Sequence, residues 1–292
     1  VKRINPSSIR VMFSGEQVTP VGRCGVNGSG PVHRYINRPC DSRGLFGILK
    51  DIGRRWSSIP AARRDSFIET QLPALLPETA EYLRLCPDIR EGNSELVEVL
   101  ARDPGFICRG IYKYRRGFDC LEYNSLAELV EIFVRDGIHL HDGGCDRQML
   151  TIYTDKSLLA YQRKVYNHCL LTSEYARDIA RGSGGQGKVA ISHALLAGLL
   201  HDIGKLILAE QYLQQGQAVI MDTMAMAGCG TLESEQEQYG INHCQFAEML
   251  FSLWGLPEPV LDAIGRHHDR PDEITGTGLP EVLKVANKRA CQ

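Results

Sequence analysis

Apolar and polar residues follow two different periods along this chain, and the change from one to the other divides it. Near the start, SIRVMFSG and PVHRYINRP are short apolar runs that read as buried strands, the first ending in Ser14 and the second in Arg38-Pro39. Between them EQVTPVGRCGVNGSG has the polar, Gly-rich character of a weak helix and loop. DSRGLFGILKDIGRRW then places Leu45, Phe46, Leu49 and Ile52 at helical spacing, with Asp41 or Ser42 as N-cap. Strand, helix, strand, helix predicts the edge of a parallel sheet over residues 1–57. The polar stretch SSIPAARRDSFI follows, and residues 58–68 are assigned as a linker or the start of a connecting helix.

Beyond the linker the pattern is helical throughout. PETAEYLRL, SELVEVLAR and SLAELVEIFVRDG predict helices within residues 69–155. VYNHCLLTSEYARDIA carries Val165, Leu170 and Ala176, and GINHCQFAEMLFSLWG carries Ala247, Leu250 and Leu253, at the same spacing within residues 156–292. Met221, Met224 and Met226 recur loosely in GQAVIMDTMAMAGCG, which reads as core or lid packing. The expected fold class is mainly α: an all-helical domain over 69–292, in lobes 69–155 and 156–292, preceded by a small α/β fragment.

With 292 residues, 43% of them hydrophobic and 23% charged, the chain can bury one large or two smaller cores. Residues 1–57 hold ten Lys or Arg against three acids, +7, while the whole chain is −2, leaving −9 for the remainder. The basic residues are spread through amphipathic elements without aromatic interleaving apart from Trp56, a pattern that fits a solvated face, or docking onto the acidic part, better than DNA binding. Ten cysteines form no C-x-x-C pair, which suggests a reducing compartment. No run of the ~18 apolar residues needed for a membrane span is read from the sequence, and no signal peptide opens it, so a cytoplasmic location is expected.

The candidate chemistry lies where the patterning is violated. LLAGLLHDIGKLIL sets His201, Asp202 and Lys205 in a stretch otherwise fit for a protein interior, and burying such a group costs several kcal/mol unless a metal or a hydrogen-bond network offsets it. Further imidazoles stand at His168, at His243 and at the pair His267-His268, each on or beside a helical segment. Imidazole nitrogens and a carboxylate suit one or two ions of zinc, iron, manganese or nickel. The alternative is a hydrogen-bonded core network without metal, with Lys205 ion-paired or snorkelling and one of the paired histidines acting as a helix C-terminal cation. Cys169 and Cys244 each follow a candidate ligand; thiolate ligation is conceivable there, against a plain role as small buried hydrophobes. His33, His139, His141 and His193 are assigned to surface or packing roles.

The order H, HD, H, HH resembles the HD superfamily of metal-dependent phosphohydrolases, and LAGLLHDIGKLIL with FAEMLFSLWGLPEPVLDAIGRHH is similar to its HDOD subfamily, a signalling output domain of bacteria. The resemblance extends upstream through LPALLPETAEYL and ELVEVLARDPGFICRGIY. It implies metal ligands at His168, His201, Asp202, His243, His267 and His268. Asn287 stands where catalytic relatives carry an aspartate, and HHDRPDEITG lacks the Gly-Tyr-Pro of cyclic-di-GMP phosphodiesterases. The resemblance therefore implies a regulatory module that binds a protein or nucleotide. The competing reading is a phosphohydrolase in which the metals activate a water and Lys205 stabilises phosphoryl charge as a catalytic residue.

The first 57 residues resemble the C-terminal half of a response-regulator receiver domain. Ser14 falls at the hydroxyl that follows the phosphoryl group, Tyr35 at the switch aromatic, and Arg38, before Pro39, at the position of a phosphate-binding lysine. The resemblance implies a two-component response regulator with a sensor histidine kinase as partner. The first receiver half is not in the sequence, so a piece of a longer protein is expected, with self-association into a homodimer through the first sixty residues.

Overall fold

The computed structural model describes residues 8–14, 33–37, 40–61, 64, 72–85, 94–114, 121–135, 152–182, 189–214, 231–269 and 278–292. The fold is mainly α, with one small parallel strand pair among the described residues. The chain divides into two compact units, one of residues 1–121, 127–152 and 251–256, the other of 122–126, 153–250 and 257–292.

In the first unit, strand β1 (Val11–Ser14) pairs in parallel with β2 (Arg34–Asn37), Met12 opposite Tyr35 and Ser14 opposite Asn37. Both strands lie where the apolar runs predict them. Of the receiver-like residues, Tyr35 is buried on β2, Ser14 ends β1, and Arg38 lies outside the described residues. Helix α1 (Ser42–Ser58) starts at Asp41, whose carboxylate accepts the Gly44 N–H at 2.6 Å; of the two N-cap candidates Asp41 takes the role. Helices α2 (Pro77–Leu85), α3 (Ser94–Ala101), α4 (Pro104–Tyr114) and α5 (Leu126–Arg135) follow the three predicted helical segments and the Asp103-Pro104 step. Asp103, fully buried, ties two of them down: one oxygen accepts the Phe106 N–H in the first turn of α4, at 3.1 Å, and the other accepts the Leu76 N–H just ahead of α2, at 2.8 Å.

The second unit is built on α6 (Lys156–Gly182), whose first turn is capped by Asp155 accepting the Leu158 N–H at 2.8 Å. Tyr161, Val165, Cys169, Thr172, Ala176 and Ala180 recur every three or four residues on its buried face. Helix α7 (Ile191–Leu200) packs on it where Gly198 faces Ser173: a Cβ on Gly198 would lie 2.5 Å from the Ser173 Cα. The Ser173 hydroxyl donates to the Leu195 carbonyl at 2.8 Å across the same contact. The unit continues through α8 (Ile203–Gln214), α9 (Thr231–Tyr239), α10 (His243–Trp254, its end belonging to the first unit), α11 (Glu258–Arg266) and α12 (Leu279–Ala290). Met221, Met224 and Met226, with His139 and His141, fall outside the described residues.

The apolar stretch 191–210 is, contrary to the reading from the sequence, long and apolar enough by length and composition to cross a membrane. Yet most of it is buried within the protein, where it forms the core helices α7 and α8 on either side of the His201-Asp202 turn.

Candidate functional site

His201 and Asp202 form the turn between α7 and α8, at the point where the apolar stretch breaks its helix. His201 is the C-cap of α7, and its ring Nδ1 donates to the Gly198 carbonyl at 2.8 Å. His267 repeats the device at the end of α11, its Nδ1 donating to the Ile264 carbonyl at 2.8 Å. A carbonyl can only accept, so each Nδ1 carries the proton and each Nε2 points beyond its helix end. His243, the first residue of α10, reaches the same state by another route: the Glu235 carboxylate accepts both its backbone N–H at 2.8 Å and its Nδ1–H at 2.7 Å.

Local sequence explains why Glu235 is there. Helix α9 ends at Tyr239 on Gly240, whose φ of 70° allows the left-handed turn and whose N–H closes on the Gln236 carbonyl at 2.9 Å. The chain reverses through Ile241, and Asn242 caps α10 by accepting the Gln245 N–H at 3.0 Å. That reversal lays Glu235 against the N-terminus of α10, where the helix dipole favours an anion.

The imidazoles converge on Asp202, which faces two triangles with its two oxygens. Oδ2 lies 3.7 Å from His168 Nε2 and 3.5 Å from His201 Nε2, and those nitrogens are 3.2 Å apart. Oδ1 lies 3.3 Å from His243 Nε2 and 3.4 Å from His267 Nε2, which are 3.5 Å apart. His268 is exposed, with its ring 4.2 Å from that of His267 and 5.2 Å from that of His243. All six histidine and aspartate ligands predicted from the sequence thus come together, in two groups able to hold an ion. Asn287, on α12, hydrogen-bonds His168 at the rim of the first triangle.

Charge is distributed unequally between the triangles. The Lys205 ammonium sits 2.7 Å from Asp202 Oδ2. Burial alone would push the Asp202 carboxyl up, but Lys205 above all, then the imidazoles, hold it well below the usual carboxylate range. Lys205 is itself raised, burial being outweighed by Asp202. In the same triangle His201 and His168 are pulled down by burial, so both rings are neutral at pH 7. In the second triangle Asp202 Oδ1 makes no hydrogen bond of good geometry although it is buried. Three acceptor atoms therefore face one another there, Oδ1 and two imidazole Nε2 atoms whose rings carry their proton at Nδ1. Such an arrangement requires a positive charge at its centre, either extra protons or a metal ion. Without an ion it draws protons: burial opposes it, but Cys244 and Asp202 raise His243 well above, and His267 to about 9.

The donor set and its spacing fit a metal. Ligands about 2.0–2.1 Å from a four-coordinate ion lie roughly 3.3–3.4 Å from each other, close to the 3.3, 3.4 and 3.5 Å of the second triangle. Glu235 behind His243, and the carbonyls of Ile264 and Gly198 behind His267 and His201, are the outer partners that fix ligating imidazoles. Glu235 was not found from the sequence: it lies in the acidic, aperiodic TLESEQEQYG, where nothing distinguishes it from its neighbours. Cys244, for which the sequence left both thiolate ligation and a role as a small buried hydrophobe, is buried and touches two imidazoles, His243 Nε2 at 3.4 Å and His267 Nδ1 at 3.7 Å.

A helical unit with a His-Asp pair between two helices, gathering imidazoles from three others, defines a candidate metal site. Residues 148–270 match the family model of the HDOD domain, and the whole cluster from His168 to His268 lies within the matched residues. An uncharacterised protein of Treponema pallidum (strain Nichols) is 24% identical over 206 residues, 69% of this chain and 38% of the relative; the chain spans well under half the length of that curated protein. The crystal structure of a fragment of the MmoQ response regulator from Methylococcus capsulatus str. Bath aligns with a TM-score of 0.52 at 18% identity, over 76% of this chain and 84% of that one. A second crystal structure of MmoQ gives the same TM-score at 19% identity, over 76% and 86%. At these identities the likeness is one of fold.

Proposed function

We propose that the chain is the output part of a two-component response regulator, whose HDOD domain signals by binding a protein or nucleotide and turns nothing over. The observation that carries this reading is Lys205 on Asp202 Oδ2 at 2.7 Å, with Asn287 beside His168. In the first triangle the cationic charge that a hydrolytic ion would bring is supplied by an ammonium group, and the late carboxylate by a neutral amide. A hydrolase of this kind needs a water polarised by bound metal, and one of its two ion positions is then already balanced. The second triangle keeps the donors for an ion with a structural or sensory role.

The parallel β1–β2 pair and the buried Tyr35 support reading residues 1–57 as the closing half of a receiver, with a sensor histidine kinase acting on the intact domain. Phosphorylation there would change the packing of its last strands and helix, and the helical domain would carry the change to its partner. Met12, Phe13, Phe46 and Leu49 are exposed on β1 and α1, and a homodimer formed through this face would cover them.

The gathering of all six ligands favours one second reading, a metal-dependent phosphohydrolase with Lys205 as the residue stabilising phosphoryl charge. Turnover assays on cyclic dinucleotides and nucleotides, with manganese or iron added, separate the two. We expect no turnover above the rate of an Asp202→Ala variant; turnover that this substitution abolishes would establish the enzyme.

A further inference from the structure

We propose that Cys244 is a metal ligand, and that it makes the second triangle a mixed thiolate and imidazole site for zinc, completed by His243, His267 and His268. The inference rests on the reading that this triangle holds an ion, and adds which ion and through which atom. Cys244, His243, His267 and His268 each offer one donor atom, and these lie within 4.8 Å of one another. A tetrahedral zinc with sulfur at about 2.3 Å and nitrogen at about 2.0–2.1 Å separates those ligands by roughly 3.5–3.6 Å. Sγ stands 3.4 Å from His243 Nε2, the ligating nitrogen of that ring, close to this spacing.

Position and chemistry agree with that spacing. Cys244 is 3% exposed, yet its sulfur faces polar nitrogens where a thiol with a packing role would meet hydrocarbon. It follows His243 in the first turn of α10, so one helix end presents both donors, as the turn at His201-Asp202 does on the other side. Asp202 Oδ1, buried and without a hydrogen bond, faces His243 and His267 and is an independent sign that something positive belongs between them. Imidazoles alone bring no negative charge to a divalent ion, and a thiolate does. A sulfur donor also selects zinc over manganese or magnesium, which prefer oxygen.

The test uses the full chain, stripped of metal with a chelator and titrated with cobalt(II) as a spectroscopic stand-in for zinc. One equivalent is expected to produce a thiolate-to-cobalt charge-transfer band in the near ultraviolet, which zinc then abolishes. Cys244→Ser is expected to lose the band and to weaken zinc binding by more than the roughly 10–100-fold that loss of an outer partner costs, whereas Cys169→Ala keeps it. X-ray absorption at the zinc edge of the loaded wild-type protein needs no variant: one sulfur at about 2.3 Å beside nitrogen and oxygen supports the proposal. A shell of nitrogen and oxygen alone, or cobalt bound without the charge-transfer band, overturns ligation by Cys244 and leaves the imidazole and carboxylate site standing. Failure of the wild-type chain to bind either ion overturns both.

Discussion

Asp202 is the residue on which the site's electrostatics turn, because its two oxygens serve different partners. Oδ2 holds an ammonium group and Oδ1 faces imidazoles, so removing the carboxylate strands a largely buried lysine. Asp202→Ala is expected to destabilise the second unit by about 3–5 kcal/mol, the usual penalty for an uncompensated buried charge. If that charge is the cause, adding Lys205→Met should restore part of the loss, and a double-mutant cycle by urea denaturation measures the coupling. Equal stability of the single and double variants would assign the loss to the imidazoles. Glu235 acts one step further out, holding His243 by two hydrogen bonds through one oxygen. Glu235→Gln keeps the shape but presents an amide to the ring, and zinc affinity measured by competition with a chromophoric chelator is expected to fall about 10–100-fold.

At the level of elements, the site exists because helices approach more closely than side chains usually allow. A Cβ on Gly204 would lie 2.4 Å from the His243 carbonyl, and one on Gly198 2.5 Å from Ser173. The first contact brings the HD turn against α10, and the second seats α7 on α6 beside His168. Gly204→Ala is expected to cost about 1–3 kcal/mol by overpacking and to weaken metal binding, whereas Gly53→Ala on α1, where a Cβ meets nothing within 4 Å, should leave or raise stability. Thermal melts of the two variants make the comparison. These contacts also mark where the sequence stops being legible. His201 and Asp202 could be read because they are polar within an apolar run, the other histidines because they stand on or beside helical segments, and α1 because period and cap agreed. The break of the apolar stretch at His201-Asp202 was not visible, since LLAGLLHDIGKLIL carries neither proline nor a cap motif and its hydrophobicity continues across the turn. Glu235 gains its meaning only from the turn at Gly240 and leaves no mark in periodicity, whereas Cys244 was marked in the sequence by following His243, with ligation and plain packing both open.

Over the whole molecule, every residue of the candidate metal site belongs to one unit, from His168 on α6 to His268 after α11, while β1, β2 and α1 belong to the other. A ligand that binds the folded site alone stabilises it by about 2.7 kcal/mol at a hundredfold excess over its Kd. That gain reaches an amide only if its opening breaks the site. Hydrogen exchange read by mass spectrometry should therefore respond unevenly to zinc. Slower exchange is expected across the HD turn (residues 196–206), around His243 (235–250) and at the end of α11 (260–268), with α1 (Ser42–Ser58) unchanged. The acidic helix α9 provides the sharpest reading, because its protection would rise only through Glu235 and His243 and should be lost in Glu235→Gln while the HD turn stays protected. Protection that spread to α1 would mean that the ion governs both units at once. That result would make metal occupancy itself the signal passed between the helical domain and the receiver-like segment.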